Sequence, residues 1–418
     1  MGYWHVFLNF LGIISYRLFL DLNYKNIISP LFEYDGYINV STPSSYFYSW
    51  VILLVFIPFI IRLYQSQDAF FSNVIVLLFL MAYVPCTSLI AFMPVDGMFV
   101  SLIISYWVLF MLSVALFKNK QLHHLSIKNG HYVFYLIMIL LILSIIYVSG
   151  VYANFRISFD LINEYELRAD SMNWDLPGIM NYLIPAAGTI LPMYLVYFFQ
   201  MRNKFMVLVL SVIILLNFSL GGHKTVLFLL LLCFWGYFFF TSKSIYKYSW
   251  FLTIITCISY IEYKVFSSFW GATLIVRRVL YVPAFLNYQY YDFFSVREKD
   301  MWRTGILGKL GFESPYGGTK ISHLIGKQMG YPEMGANNGL FSDAYANFGI
   351  WGILLFPFLL VMFVKIMDSF TRGIDVKLLI LPIIATVLGF MSSFFTTLLL
   401  THGLLLLLLL FAVFPKKV

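Results

Sequence analysis

Charge is scarce in this sequence. Lys, Arg, Asp and Glu make up 11% of its 418 residues, against about 25% in ordinary soluble domains. So few charges cannot cover a soluble globule of this length, which excludes a water-soluble enzyme. Cysteine is scarcer still. Cys86, Cys233 and Cys257 lie in apolar stretches at no metal-ligand spacing, so they read as small lipid- or core-facing residues. No Walker loop, G-x-G-x-x-G, H-E-x-x-H or G-x-S-x-G occurs, and no carboxylate–histidine grouping has metal spacing, so neither metal nor cofactor is expected. The His123-His124…His131 cluster reads as a polar loop. An internal repeat is also missing, which weakens a transporter built from related halves.

What is present is apolar. Hydrophobic types reach 61% and aromatics 20%, with 44 Phe and 30 Tyr. Runs at 50–61, 132–148, 205–216, 226–240 and 378–391 carry almost no charge, and a bilayer core needs about 20 such residues per helix. The fold class is therefore an all-α polytopic membrane protein, one membrane domain over 1–418. About twelve transmembrane helices are predicted, at 3–20, 45–63, 70–92, 98–117, 132–150, 178–199, 205–220, 225–242, 248–265, 341–364, 378–396 and 398–414. Met1-Gly-Tyr-Trp-His lacks a basic n-region, so the first apolar segment reads as a retained helix.

Orientation follows from the basic residues of short loops. Arg62, Lys118, Lys120, Lys128, Arg202, Lys204, Lys243, Lys247, Lys365, Arg372, Lys377, Lys416 and Lys417 fall on one side, against Asp68, Asp368 and Asp375. The alternate loops hold only Lys25, Arg156, Arg168 and Lys224. The first side is cytoplasmic, as are both termini. The net charge of +8 is thus spread in the manner of membrane topology, and no nucleic-acid partner is expected.

One long external segment, 262–343, joins the ninth and tenth spans. It is rich in aromatics, as in Tyr288-Gln-Tyr-Tyr-Asp-Phe-Phe294, and its composition suits short amphipathic helices on the membrane face. Basic residues on this side stand out. Gly221-Gly-His-Lys-Thr225 turns between two apolar helices. Arg277 and Arg278 sit in an apolar-aromatic stretch where, on an α-helix, they point about 100° apart; the plain alternative pairs one with an acid and sends the other to a lipid phosphate. Arg168 lies among Glu164, Glu166 and Asp170. In Gly335-Ala-Asn-Asn-Gly-Leu-Phe-Ser-Asp343, Asn337 or Asn338 can cap the next helix, which stacks Asp343 and Asn347 at i, i+4. Together these groups predict a basic, aromatic-walled cavity for a phosphate-bearing, lipid-linked sugar.

In this order the motifs resemble the Wzy-type O-antigen (oligosaccharide repeat-unit) polymerases of bacterial membranes. The carriers are Ala336-Asn-Asn-Gly-Leu-Phe-Ser-Asp-Ala-Tyr-Ala-Asn-Phe-Gly-Ile-Trp-Gly352, Arg278-Val-Leu-Tyr-Val-Pro-Ala with Asn287-Tyr-Gln-Tyr-Tyr-Asp-Phe-Phe294, Gly221-Gly-His-Lys-Thr225, Tyr165-Glu-Leu-Arg168 and Thr401-His-Gly403. The family more often has Arg where Lys224 stands.

The resemblance implies a GT-C-like, metal-independent glycosyltransferase of the bacterial inner membrane with a periplasmic active site. It would move a growing glycan from undecaprenyl pyrophosphate onto a lipid-linked repeat unit, with a chain-length regulator and a flippase as candidate partners. Arg278, aided by Lys224, would hold the donor pyrophosphate, and Arg168, Arg277, Asn337 and Asn338 would line the site. The general base stays open among His323, Glu313 and Asp343. Asn337-Asn338 replaces the His-Asn pair of the related O-antigen ligases, which lowers that alternative; a lipid-linked oligosaccharide flippase is the other.

Overall fold

The computed structural model describes residues 3–64, 68–118, 120, 122, 127, 130–157, 171, 173–221, 236–241 and 244–415. Among them every regular element is helical. In chain order the longer ones are α1 (Tyr3–Asn23), α2 (Pro43–Leu63), α3 (Ala69–Phe92, with a π-turn in its middle), α4 (Gly97–Phe117), α5 (Gly130–Tyr152), α6 (Met180–Gln200) and α7 (Lys204–Gly221). After the undescribed 222–235 come α8 (Tyr248–Phe266), the π-helix α9 (Ala272–Tyr281), α10 (Val282–Ser295), α11 (Ile321–Gln328), α12 (Phe341–Phe370), α13 (Val376–Ser392), α14 (Phe395–Leu400) and α15 (Leu404–Val413).

Seven helices among the described residues are long and apolar enough to cross a membrane: Trp4–Asp35, α2, α3, α4, α5, α6 and α12. The protein is membrane-embedded and helical. Lys204–Leu220, Val376–Ser392 and Leu404–Val413 are apolar but shorter; ten residues of helix rise only about 15 Å. The predicted boundary near 397 becomes two breaks. One falls at Ser393–Phe394 and the other at Thr401–Gly403, where Gly403 takes φ 74°, a conformation that suits glycine.

The chain divides into two compact units. The first comprises Met1–Lys120, Lys243–Lys365 and Phe390–Phe395. Its middle is α3, apolar on all sides and buried along almost its whole length, as expected of a helix surrounded by others. Thr42 and Ser45 form a capping box that starts α2, with Pro43 at the first turn, and Asp96 Oδ1 accepts the Met98 N–H to start α4. Helices α1 and α8 pack along a seam of small residues. Gly12 lies against Ser249, and Thr253 Oγ1 donates to the Gly12 carbonyl at 3.0 Å; close backbone approach of this kind is the usual glue between membrane helices.

The second unit comprises Gln121–Ser242, Ile366–Gly389 and Thr396–Val418. Here Tyr194 Oη donates to the Phe134 carbonyl at 2.6 Å, tying α6 to α5. Gly130 packs on the Val413 backbone and Gly403 on Ala186, so the apolar α15 lies against both helices.

Candidate functional site

The 262–343 segment of the first unit is a helical rod and a folded loop. Helices α9 and α10 run on without a break, and their aromatic side is buried: Tyr281, Tyr290 and Phe294 are fully enclosed, with Tyr290 Oη donating to the Ala336 carbonyl at 2.9 Å. The aromatic run predicted to wall a cavity is thus largely core, because inward positions recur at helical spacing.

Arg277 and Arg278 part company on this rod. Arg277 pairs with Asp35, and its guanidinium stands 4.1 Å from the Phe32 ring and 5.7 Å from that of Tyr37. Tyr331 Oη donates to the other oxygen of Asp35 at 2.5 Å. Burial pushes the Tyr37 phenol up while Arg277 opposes it, and the bond to Asp35 raises that of Tyr331. Arg278 is exposed and has no partner among the described residues. The stretch is a π-helix rather than the expected α-helix, so its wider turn changes the angle between the two side chains.

The motif that leads into α12 is a clamp. Asn338 is buried and donates to the Pro283 carbonyl, Asn287 Oδ1 and Ser342 Oγ at 3.0, 3.0 and 2.8 Å. Asn337 is exposed. A side chain at Gly339 would collide with the Phe390 and Ser393 carbonyls, which is why glycine stands there. Asp343 is fully buried; its Oδ2 accepts the Phe395 N–H at 2.5 Å, and its Oδ1 accepts Asn347 Nδ2 at 2.7 Å and Trp302 Nε1 at 3.4 Å. Asn347 Oδ1 in turn takes the Trp302 N–H at 2.8 Å, docking loop 300–302 on the helix. Gly349 then breaks α12 with φ 57° and ψ −131°. The i, i+4 stacking of Asp343 and Asn347 is as predicted, but it faces inward.

The other candidates separate. His323 is half-buried on α11, with Nε2 beside Gly335, and Glu313 is exposed. Arg168 and Lys224 lie outside the described residues, as do His123, His124 and Cys233. A cleft of about 620 Å³ opens between α2, α3 and α4. It is lined by residues such as Val40, Tyr48, Ile52, Ile90, Met93 and Val100, none of them charged. The basic cavity expected from the sequence is not this one. Lys299 has its chain against Gly349 and its ammonium 4.4 Å from the Tyr345 ring, and burial lowers its pKa.

One polar group escaped the sequence reading. Arg17 and Asp21, four apart in an otherwise apolar α1, form a buried ion pair at 2.8 Å. An Arg in a membrane-length apolar helix is a functional hypothesis by default, and the i, i+4 acid was the signal available. No family model, curated protein or solved structure matches this chain.

Proposed function

We propose that the chain is a Wzy-type repeat-unit polymerase of a bacterial inner membrane. In this reading about twelve spans form a GT-C-like fold with both termini cytoplasmic and the 262–343 segment periplasmic. The enzyme transfers a growing glycan from undecaprenyl pyrophosphate to the terminal sugar of a fresh lipid-linked repeat unit. The observation that carries the reading is the division of labour between Arg277, neutralised by Asp35, and Arg278, exposed without a partner among the described residues.

A guanidinium in that position can meet a pyrophosphate with two parallel hydrogen bonds and stays charged at any working pH. As the glycosyl–oxygen bond breaks, charge gathers on the departing phosphate, and a preorganised cation lowers that barrier. Lys224 and Arg168 complete the cationic set. The acceptor hydroxyl gives its proton to a base as the new bond forms. Asp343 is buried and holds Phe395, Asn347 and Trp302 in place, so we assign that role to His323 or Glu313.

The test is elongation of lipid-pyrophosphate-linked repeats by purified protein in detergent, with EDTA and without nucleotide sugar. Longer glycans and free undecaprenyl pyrophosphate are expected. Transfer to lipid A core instead of to another repeat unit would make it a ligase. Movement of intact repeats across a vesicle without elongation would make it a flippase.

A further inference from the structure

The buried pair on α1 has a direct line to the rod that carries Arg278. Asp21 Oδ1 accepts Arg17 Nε at 2.8 Å and Ser88 Oγ at 2.5 Å. Ser88 Oγ is 2.7 Å from Tyr281 Oη, which also reaches the Leu20 carbonyl at 3.0 Å. The guanidinium is held in turn by Ser49 Oγ at 3.1 Å, by Thr87 Oγ1 and the Thr87 carbonyl at 3.3 Å each, and by the Trp50 ring 5.0 Å away. Four helices, α1, α2, α3 and α9, therefore meet in one polar knot.

We propose that Arg17, Asp21, Ser88 and Tyr281 are a buried brace that sets the rotation and depth of α9 and so aims Arg278. They are positioning residues for the transfer proposed above, and this role rests on that reading of Arg278. Three observations converge on it.

The first is the helix itself. A π-helix of ten residues is unusual, since such turns mostly occur singly, and a wide, poorly packed coil needs outside contacts to hold its register. The second is where those contacts fall. Tyr281, the last residue of α9, is held by the brace, and Arg277, one turn earlier, is held by Asp35. Arg278 lies between two tethered positions and is itself exposed.

The third is the chemistry of the knot. Apolar side chains would hold four helices together without the penalty of removing an ion pair from water. Apolar packing leaves a scatter of about 15–20° in helix crossing angles, whereas hydrogen bonds between hydroxyl, carboxylate and guanidinium are directional and narrow it. Asp21 Oδ1 accepts from both Arg17 and Ser88, so this one acid ties α1 to α3 beside Tyr281.

Tyr281→Phe and Ser88→Ala test this with little risk to folding, because each removes one hydroxyl and keeps the packing. In full-length protein with Cys86, Cys233 and Cys257 replaced by Ala, Arg278→Cys and Ser101→Cys each take a nitroxide label. The distance distribution between them, read by pulsed electron resonance, is expected to broaden when Tyr281→Phe is added. In chains that keep Arg278, the same substitution should lower kcat about ten- to a hundredfold, as a misaligned group does, while the acceptor KM holds. An unchanged distance distribution in both hydroxyl variants overturns the brace. So does wild-type turnover in Tyr281→Phe where Arg278→Ala is dead. If wild-type protein never elongates, glycan transfer falls, and the label distances alone judge whether the brace holds α9.

Discussion

The carboxylate of Asp343 accepts the backbone N–H of Phe395, 52 residues further along the chain, at 2.5 Å. That bond closes the break after α13 against the start of α12. With Asn347 and Trp302 on its other oxygen, the acid works as a structural knot, and the motif around it is a fold determinant before it is anything else.

Asp343→Ala should therefore unfold the protein rather than silence it. It orphans the Phe395 N–H and two side-chain donors, at about 1–3 kcal/mol for each group left unsatisfied. A lower melting temperature in detergent is expected, with the surviving folded fraction turning over near the wild-type rate. A stable Asp343→Ala protein slowed about 10²–10⁴-fold would make it the general base after all.

Arg278→Ala should leave melting unchanged and reduce elongation about 10²–10³-fold, the usual effect of removing one preorganised charge-stabilising donor. Arg277→Ala should do the reverse. Asp35 loses its cation in a half-buried setting, at about 1–3 kcal/mol, so the melting temperature drops more than turnover per folded molecule. Comparing both quantities across the two variants separates a reacting cation from a structural one.

Asp96 and Tyr291 supply a pH dependence. Tyr291 Oη donates to Asp96 Oδ2 at 2.6 Å. The bond holds the Asp96 carboxyl below its ordinary value, while burial and then Asp96 raise the Tyr291 phenol. Both contributions are present between the ordinary carboxylate and phenol values. The acid's is lost as pH falls through its lowered folded value, and the phenol's is lost as pH rises above about 10. Tyr291→Phe should flatten both limbs of the melting temperature against pH. Identical wild-type and variant curves would show that the bond is not kept in solution.

Topology can be read with an impermeant thiol reagent on intact spheroplasts. Cysteines introduced at Glu313 and His323 should react, and those at Lys120 and Arg372 should react only after lysis. The opposite pattern inverts the orientation and removes the periplasmic site.

Some of this was legible in the apolar runs. Each of the seven long helices overlaps a predicted span, although the first runs on to Asp35 past the predicted end at 20, since a membrane helix is specified locally by about 20 residues of composition. The stacking of Asp343 on Asn347 was also readable, because i, i+4 neighbours meet on any helix. The π character of α9 was not, because a widened turn is imposed by what the helix packs against.

Composition and periodicity determined that the protein is helical and membrane-embedded. Only the tertiary structure decided which charges are spoken for. Asp35 reaches Arg277 across 242 residues, and Arg17 reaches Thr87 across 70. A sequence states what each side chain is able to do. The partner it meets is chosen by packing between distant segments, and in an apolar interior an ionised group without such a partner is too costly to keep.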